Sequence, residues 1–430
     1  MPVGGRLSRF LPFWQSITSD QWVLQVVEHG YRLEFESPPI STGRRKTVLH
    51  RGGYDMSGEV RELYDNCSAR YVPPDQVTTG VYSTYFLVDK KDGGKRPILN
   101  LKTLNRCLVK RPFKMETLSS IAPVLQLNTW MASIDLKDAY LHVPIFQDHW
   151  RFLRFYFMGQ DLEYTVTPFG LSPAPMLFTR LVLAIVAWLR LRGVRIHAYL
   201  DDILLLGNSP EEVAHALQVT IHAFTSAGYI INVKKSDLNP TQDLVYIGGR
   251  FCTTLGKMLL PTDRKIALIK VVRTFFRVGA RYPARSWLSV MGFMAATIST
   301  VETARLRMRP LQWFMKLKWK SRDLNEIIMV PLQLHQQLQW WTVASNLLEG
   351  RPFQKPVHTL TVTTDSSMEG WGGHILIGDQ NLLFSGLWSR PERSLHINVL
   401  ELRAIRLTLQ RVQSQVSGQV VRCECDNQQR

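Results

Sequence analysis

Two adjacent carboxylates inside an apolar run constrain this chain more than any other feature. They are Asp201 and Asp202, within the stretch Ile196-His-Ala-Tyr-Leu-Asp-Asp-Ile-Leu-Leu-Leu-Gly207. The flanking residues favour strand, so the stretch predicts two short antiparallel strands with the acids at the tight turn between them. Like charges in a partly dry setting repel and lose hydration, and such a pair is costly unless something offsets it. A divalent cation does so directly, since magnesium takes hard oxygen ligands, one or two carboxylates together with substrate phosphates. An ordinary Asp-Asp hairpin turn needs no cation, so a third carboxylate in a matching setting decides between the two readings. Asp135 supplies it: it ends the strand-like approach Trp130-Met-Ala-Ser-Ile134 and stands at a strand end, where a site can form.

Together, Ser133-Ile-Asp135-Leu-Lys-Asp-Ala-Tyr140 and Tyr199-Leu-Asp201-Asp202 resemble the palm of a reverse transcriptase. The resemblance implies an α+β right-hand polymerase of fingers, palm and thumb. It implies that Asp135 and Asp201 hold two magnesium ions, or manganese in their place, for in-line nucleotidyl transfer, with Asp202 completing the acidic set. Asp138 is read as a structural residue. Upstream, Ser83–Val88 and Arg96–Leu101 read as strands joined by the charged Gly-Gly turn Asp89–Lys95. This resembles the fingers hairpin that folds over the incoming triphosphate. Arg96 matches the family's phosphate-binding arginine, with Lys90 or Lys91 as the second cation; a guanidinium grips phosphate bidentately, whereas lysine acts as a point charge.

Three further stretches extend the match. Tyr140 falls where the family places an aromatic ring under the sugar, and bulk there excludes a 2′-hydroxyl, so dNTPs are the expected substrates. In Thr167–Pro175, Ser172 is predicted to cap a helix starting at Pro173, and Gly170 after Phe169 allows close backbone approach. That run resembles the Pro-Phe-Gly-Leu element of retrotransposon polymerases, with Phe169 where retroviral enzymes usually carry glutamine. Tyr229–Lys235 reads as a strand, and Lys235 (with Lys234 in reserve) is the candidate proton donor to the leaving pyrophosphate. Leu244–Phe251 resembles the primer-holding hairpin.

A chain of 430 residues has room for two to four domains, and 45% hydrophobic with 20% charged residues is a globular composition. The formal charge of +17 points to a polyanionic partner. Most of it sits in residues 264–322, where 14 lysines and arginines face one acid, Glu302, with eight aromatics interleaved. This predicts a basic helical thumb and connection that binds RNA or DNA template–primer, with affinity falling steeply as salt rises. Five cysteines without zinc spacing imply a reduced, intracellular compartment. The longest apolar run, Leu181–Leu189, is too short to span a bilayer, so no membrane role is expected.

These features divide the chain into an N-terminal extension (1–75), fingers and palm (76–251), thumb and connection (252–350) and a last domain (357–430). Residues 350–356 read as a linker. The last domain has a predicted β-β-β-α-β order with Asp365, Glu401 and Asp426 in sequence. This resembles ribonuclease H, in which carboxylates converge on two metals and activate water to cut RNA in an RNA:DNA hybrid. The sequence stops at Arg430, before the family's last helix and fourth carboxylate, so the expectation is feeble or absent hybrid cleavage and one uncovered sheet face. Leu136–Ile145, Asn398–Glu401 and Gly30–Phe35 look most like DIRS-type retrotransposons, which also carry a tyrosine recombinase. The chain therefore reads as part of a longer polyprotein of unknown oligomeric state. The competing reading is a retired or repurposed element protein that binds nucleic acid without copying it; the survival of Asp135, Asp201, Asp202 and Arg96 argues against it.

Overall fold

The computed structural model describes residues 2–43, 57–89, 95–275, 277, 279–354, 357–377 and 380–425. Lys90, Lys91 and Asp426 lie outside them, as does the side chain of Arg96. The chain divides into two compact units, Met1–Phe353 and Gln354–Arg430.

The first unit opens with α1 (Leu11–Ile17), α2 (Gln21–His29), α3 (Ser57–Asp65), β1 (Ala69–Tyr71), the hairpin strands β2 (Tyr85–Asp89) and β3 (Lys95–Leu99), α4 (Lys102–Cys107) and α5 (Leu118–Ile121). Its centre comprises β4 (Trp130–Asp135), β5 (Arg154–Phe157), β6 (Gln160–Tyr164), α6 (Ala174–Arg190), β7 (Arg195–Tyr199), β8 (Asp202–Gly207), α7 (Pro210–Ser226) and β9 (Asp237–Thr241). A meander of β10 (Asp243–Tyr246), β11 (Gly249–Cys252) and β12 (Lys257–Leu259) follows. It leads into α8 (Thr262–Phe275), β13 (Arg281–Pro283), α9 (Ala284–Ala295), α10 (Ala304–Lys318), β14 (Ile327–Met329), α11 (His335–Trp340), α12 (Ala344–Leu348) and β15 (Arg351–Pro352).

The central sheet has the order β7-β8-β4-β9 and is antiparallel throughout. Strand β8 is apolar on both faces because both are covered. Ile203 and Leu205 join the core built with α6 and α7, whereas Leu204 and Leu206 pack with Leu244, Tyr246, Phe251 and Met258 of the meander. A strand buried on two sides has no use for alternation, which is why Ile203–Leu206 reads as a continuous apolar run. Helix α6 turns Leu177, Phe178, Leu181, Val182, Ile185, Val186 and Leu189 inward, at the spacing of one helical face. The N-terminal segment belongs to this core. Trp14 is fully buried and its indole Nε1–H donates to the Ala227 carbonyl at 2.9 Å.

Two local expectations are corrected here. Ser172 does not cap α6 with its side chain; Pro173 is the N-cap residue, and the Ser172 N–H instead donates to Asn105 Oδ1 at 2.9 Å. Residues 229–235 are not a strand: only Ile231 bridges, to Leu136, and the strand comes later, as β9.

His142 is wholly buried among these elements. Its Nδ1 faces the Ala139 carbonyl and its Nε2 accepts the Ile230 N–H, both at 3.2 Å, which assigns the proton to Nδ1. Desolvation pushes its pKa down to about 4 from the usual 6.5. The unfolded chain takes up this proton below about pH 6.5 and the native chain does not, so stability is complete above 6.5 and drains as pH falls towards 4. The expected loss is about 2–3 kcal/mol across that window. Denaturant melts at pH 7 and pH 5 should show it, and His142→Gln should remove this part of the pH dependence.

Around α8, α9 and α10 a separate core forms on Trp287, Met294, Leu311 and Trp341. The second unit holds β16 (Leu360–Ser366), β17 (Gly370–Ile377), β18 (Gln380–Leu387), α13 (Ile397–Arg411), α14 (Gln413–Val416) and β19 (Val421–Glu424). Its sheet has the order β18-β17-β16-β19, and β19 runs parallel to β16. Helix α13 packs on β16 and β17 through Leu400, Ala404 and Thr408. Its approach requires Gly373, where a Cβ would lie 2.0 Å from Thr408 Oγ1. Leu376, Leu383 and Leu387 are exposed. Among the described residues no helix is long and apolar enough to cross a membrane.

Candidate active site

The acids meet because of strand register. β4 and β8 pair antiparallel with Asp135 directly opposite Asp202, and the Leu136 N–H donates to the Asp201 carbonyl at 2.9 Å. Residues directly opposite in such a ladder share one face of the sheet, with Cβ atoms about 5 Å apart. The turn between β7 and β8 is tight enough to hold Leu200 at φ +54°, so Asp201 sits at its apex and Asp202 opens β8.

All three carboxylates are half-buried. Burial raises the Asp135 pKa, and the negative charges of Asp201 and Asp138 add to the rise; a hydrogen bond from Asn232 and the charge of Lys235 oppose it. Asp202 is pushed up to about 6 by burial, with Asp201 and Asp135 contributing and Lys235 opposing. Lys235 is exposed in the turn after Ile231, and its charge reaches both acids.

Several residues that the sequence did not single out hold this arrangement. Ser236 Oγ accepts the Asp135 N–H at 3.0 Å and donates to the Asn232 carbonyl at 2.8 Å, while the Asn232 N–H donates to the Asp135 carbonyl at 2.8 Å. The Tyr246 hydroxyl donates to the Asp202 carbonyl at 2.9 Å, tying the meander to the acidic strand. Its placement one residue before the Ile247-Gly248 turn is the signal that could have found it.

Of the residues expected at a nucleotide, the structure brings Tyr140 and Phe169 together. Tyr140 and Phe169 are in ring contact at 5.3 Å, and Tyr140 also meets Phe178 at 5.5 Å. Gly170, at φ +103°, is pressed against the end of β3, where a Cβ would stand 2.5 Å from the Leu99 carbonyl oxygen. Asn105 clamps this loop from α4, donating to the Gly170 carbonyl at 2.8 Å and accepting the Ser172 N–H. Arg96 lies on β3 opposite Val88.

In the second unit, Asp365 is exposed near the end of β16 and accepts the Ser366 N–H at 2.7 Å. Glu401, in α13, is buried at 4% exposure. The two stand on adjoining elements, one at the surface and one at the packing face.

Asp135, Asp201 and Asp202 suit a divalent cation by their chemistry: hard oxygen donors, half-buried, with a mutual repulsion that such a charge would relieve. Among the described residues no three His, Cys, Asp or Glu side chains stand in the spacing of a ready metal cage, so these carboxylates are not drawn together on one ion as they lie.

Residues 88–251 match the family model described as reverse transcriptase (RNA-dependent DNA polymerase). Among curated proteins, the Gag-Pol polyprotein of Walleye dermal sarcoma virus is 27% identical over 229 residues, 50% of this chain and 13% of the polyprotein. The transposon Tf2-3 polyprotein of Schizosaccharomyces pombe is 23% identical over 225 residues, 52% of this chain and 16% of that one. The chain thus spans only a small part of the curated relatives it matches. In fold it resembles a foamy viral protease-reverse transcriptase solved with an RNA/DNA hybrid, with a TM-score of 0.61 at 16% identity over 97% of this chain and 54% of that one. The dRH form solved with double-stranded DNA gives a TM-score of 0.63 at 16% identity over 98% and 75%. The architecture is that of a right-hand polymerase. The chain therefore carries a reverse transcriptase domain and is homologous to retroviral and retrotransposon polyproteins.

Proposed function

We propose that this chain is an RNA-directed DNA polymerase that extends a primer with dNTPs on an RNA or DNA template. The observation that carries the reading is the register of β4 against β8, which faces Asp135 with Asp202 beside Asp201 and within reach of the Lys235 charge. Asp135, Asp201 and Asp202 would hold magnesium, or manganese, whose chemistry here is neutralisation of charge on the attacking and leaving oxygens. Arg96, with Lys90 or Lys91, binds the triphosphate as anion-gripping cations. Tyr140 and Phe169 form the floor under the sugar and base, and Gly170 lets the backbone come close. Lys235 holds a proton that the departing pyrophosphate can accept. The basic helices α8–α10 bind the template–primer duplex, and the foamy viral enzymes solved with RNA/DNA hybrid and double-stranded DNA support that partner.

The second unit we read as ribonuclease H-like, with Asp365, Glu401 and Asp426 as its acids and an RNA:DNA hybrid as its substrate. The β-β-β-α-β order and the parallel pairing of β16 with β19 support this. The DIRS-type assignment rests on the sequence stretches 30–35, 136–145 and 398–401.

The test is extension of a labelled DNA primer on an RNA template with each dNTP, with and without magnesium. Metal-dependent incorporation that favours dNTPs over rNTPs is expected. Tight duplex binding with no incorporation under any divalent cation would favour the repurposed binding protein instead.

A further inference from the structure

Helices α9 and α10 share one core and leave a furrow open beside it. From α9 the core takes Trp287, Val290 and Met294, and from α10 Met308, Leu311 and Met315. The neighbouring stripe of α9, Leu288, Met291, Gly292 and Ala295, recurs at helical spacing and lines the furrow instead. The furrow has a volume of about 410 Å³. It follows α10 from Met308 to Trp319, a length of about 16 Å at a rise of about 1.5 Å per residue.

The lining is apolar and pliant. Met308 and Met315, 2% and 4% exposed, form the floor, Met291 is half-buried on one wall, and Leu288 is exposed at the rim. Trp319 closes one end, its indole N–H donating to the Asp323 carbonyl at 2.9 Å. Gly292 keeps the furrow open, and a Cβ there would meet no atom within 4 Å. Thioether side chains adapt to varied apolar surfaces, and two helices with such a floor between them can accept a third. One lip is cationic. Arg305, Arg309, Gln312 and Lys316 follow one another at intervals of four, three and four residues, along one side of α10. Arg309 donates to Gln312 Oε1 at 3.3 Å, and both Gln312 and Lys316 line the furrow. Neither helix carries an acid, and among the described residues none of these three cations is in an ion pair.

We propose that the α9–α10 furrow docks an acidic amphipathic α-helix of a partner protein, with apolar side chains on the methionine floor and carboxylates against Arg305, Arg309 and Lys316. Shape and charge select this occupant. A nucleic-acid duplex presents phosphates, which need hydrogen-bond donors, and thioethers supply none. A bilayer surface is broad and does not enter a furrow between two helices. A second copy would bring the same positive charges face to face. The docking needs no nucleotide chemistry, and its failure would leave the polymerase reading untouched.

The experiment is methyl NMR of the full chain, labelled at the methionine Cε, titrated with a synthetic helical peptide of about four turns. Its leucines recur at i, i+4, i+7 and i+11, with glutamates on the flanks. Saturable shifts centred on Met291, Met308 and Met315 among the 13 methionines are expected. Gly292→Leu should fill the furrow and weaken binding about tenfold or more, with no loss of melting temperature because the position is open. Arg309→Glu/Lys316→Glu should lose the glutamate peptide and bind a version with lysines in the same places. Should Gly292→Leu lower the melting temperature, this charge exchange decides alone. No saturable shift, equal affinity for wild type and a stably folded Gly292→Leu, or indifference of the charge-exchanged chain to the two peptides overturns the proposal. So does a response of these three methyls to an RNA–DNA duplex or to phosphatidylserine vesicles but not to the peptide, which would give the furrow to nucleic acid or to a membrane. Shifts that grow with protein concentration alone would overturn it in favour of a second copy.

Discussion

Asp201→Asn is expected to reduce primer extension by roughly 10³-fold or more, the scale on which removal of a group that organises transition-state charge acts. The fold should not suffer. Asp201 raises the pKa of both Asp135 and Asp202, so removing its charge relieves repulsion inside the site. Asp202→Asn carries the same logic further. Its acid sits at about pKa 6 in the folded chain against 3.8 ordinarily. An acid whose folded pKa is raised is no burden below its unfolded pKa, and stability is lost as pH rises through the window from about 4 to about 6. Above pH 6 the ionised form therefore costs about 1–2 kcal/mol after allowance for solvent screening. In metal-free buffer at pH 7.5, Asp202→Asn should melt higher than the wild type while losing extension. A variant that loses both activity and stability would mean that these acids hold the hairpin rather than serve chemistry.

Arg154→Met should produce the largest loss of stability of any single change in the first unit, about 3–5 kcal/mol. Arg154 and Glu163 are each 1% exposed at the side chain, with Nε donating to Glu163 Oε2 at 2.9 Å. The same guanidinium donates through Nη1 to the carbonyls of Gln76 and Thr79, each at 2.6 Å, tying the 76–79 segment to β5. Arg70 reaches Glu163 Oε1 at 2.8 Å from the rim and cannot replace those bonds. Methionine fills the volume but leaves a buried carboxylate half-neutralised and two carbonyls without a donor. The expected signature is a urea midpoint shifted sharply down, with Arg154→Met/Glu163→Leu recovering part of the loss because the stranded charge is gone. Equal losses in the single and double variants would mean that the two carbonyl bonds, rather than the ion pair, hold this part of the fold.

The parts of this site that were legible in the sequence were those set by local pattern. The run after Asp202 is apolar because β8 is covered on both faces, and a strand of that kind interrupted by paired acids has few alternatives. Asp135 was placed by the same logic at the end of β4. Bonds between distant positions were not legible. Ser172 looked like a helix cap, yet its N–H goes to Asn105, 67 residues earlier. Tyr229–Lys235 alternates like a strand, but Tyr229 is buried beside Trp14 while Val233 is 65% exposed, and the Lys235 N–H closes a turn on the Asn232 carbonyl. Periodicity cannot reveal that the backbone there is already engaged by the end of β4. The buried ion pair Arg154–Glu163 was equally hidden, since nothing in a linear pattern marks which charges fold inward.

The parallel pairing of β16 with β19 also dictates an order of events during synthesis. Leu360 must wait for Val421, 61 residues downstream, before that edge of β16 is covered. At ordinary ribosomal speeds the delay is roughly 3–12 s. Hairpins β16–β17 and β17–β18 can form meanwhile, leaving a nascent sheet with a bare strand flank open to pairing with a neighbouring polypeptide. The second unit therefore keeps an unpaired strand flank over that interval, after the β7–β8 hairpin of the first unit has been made.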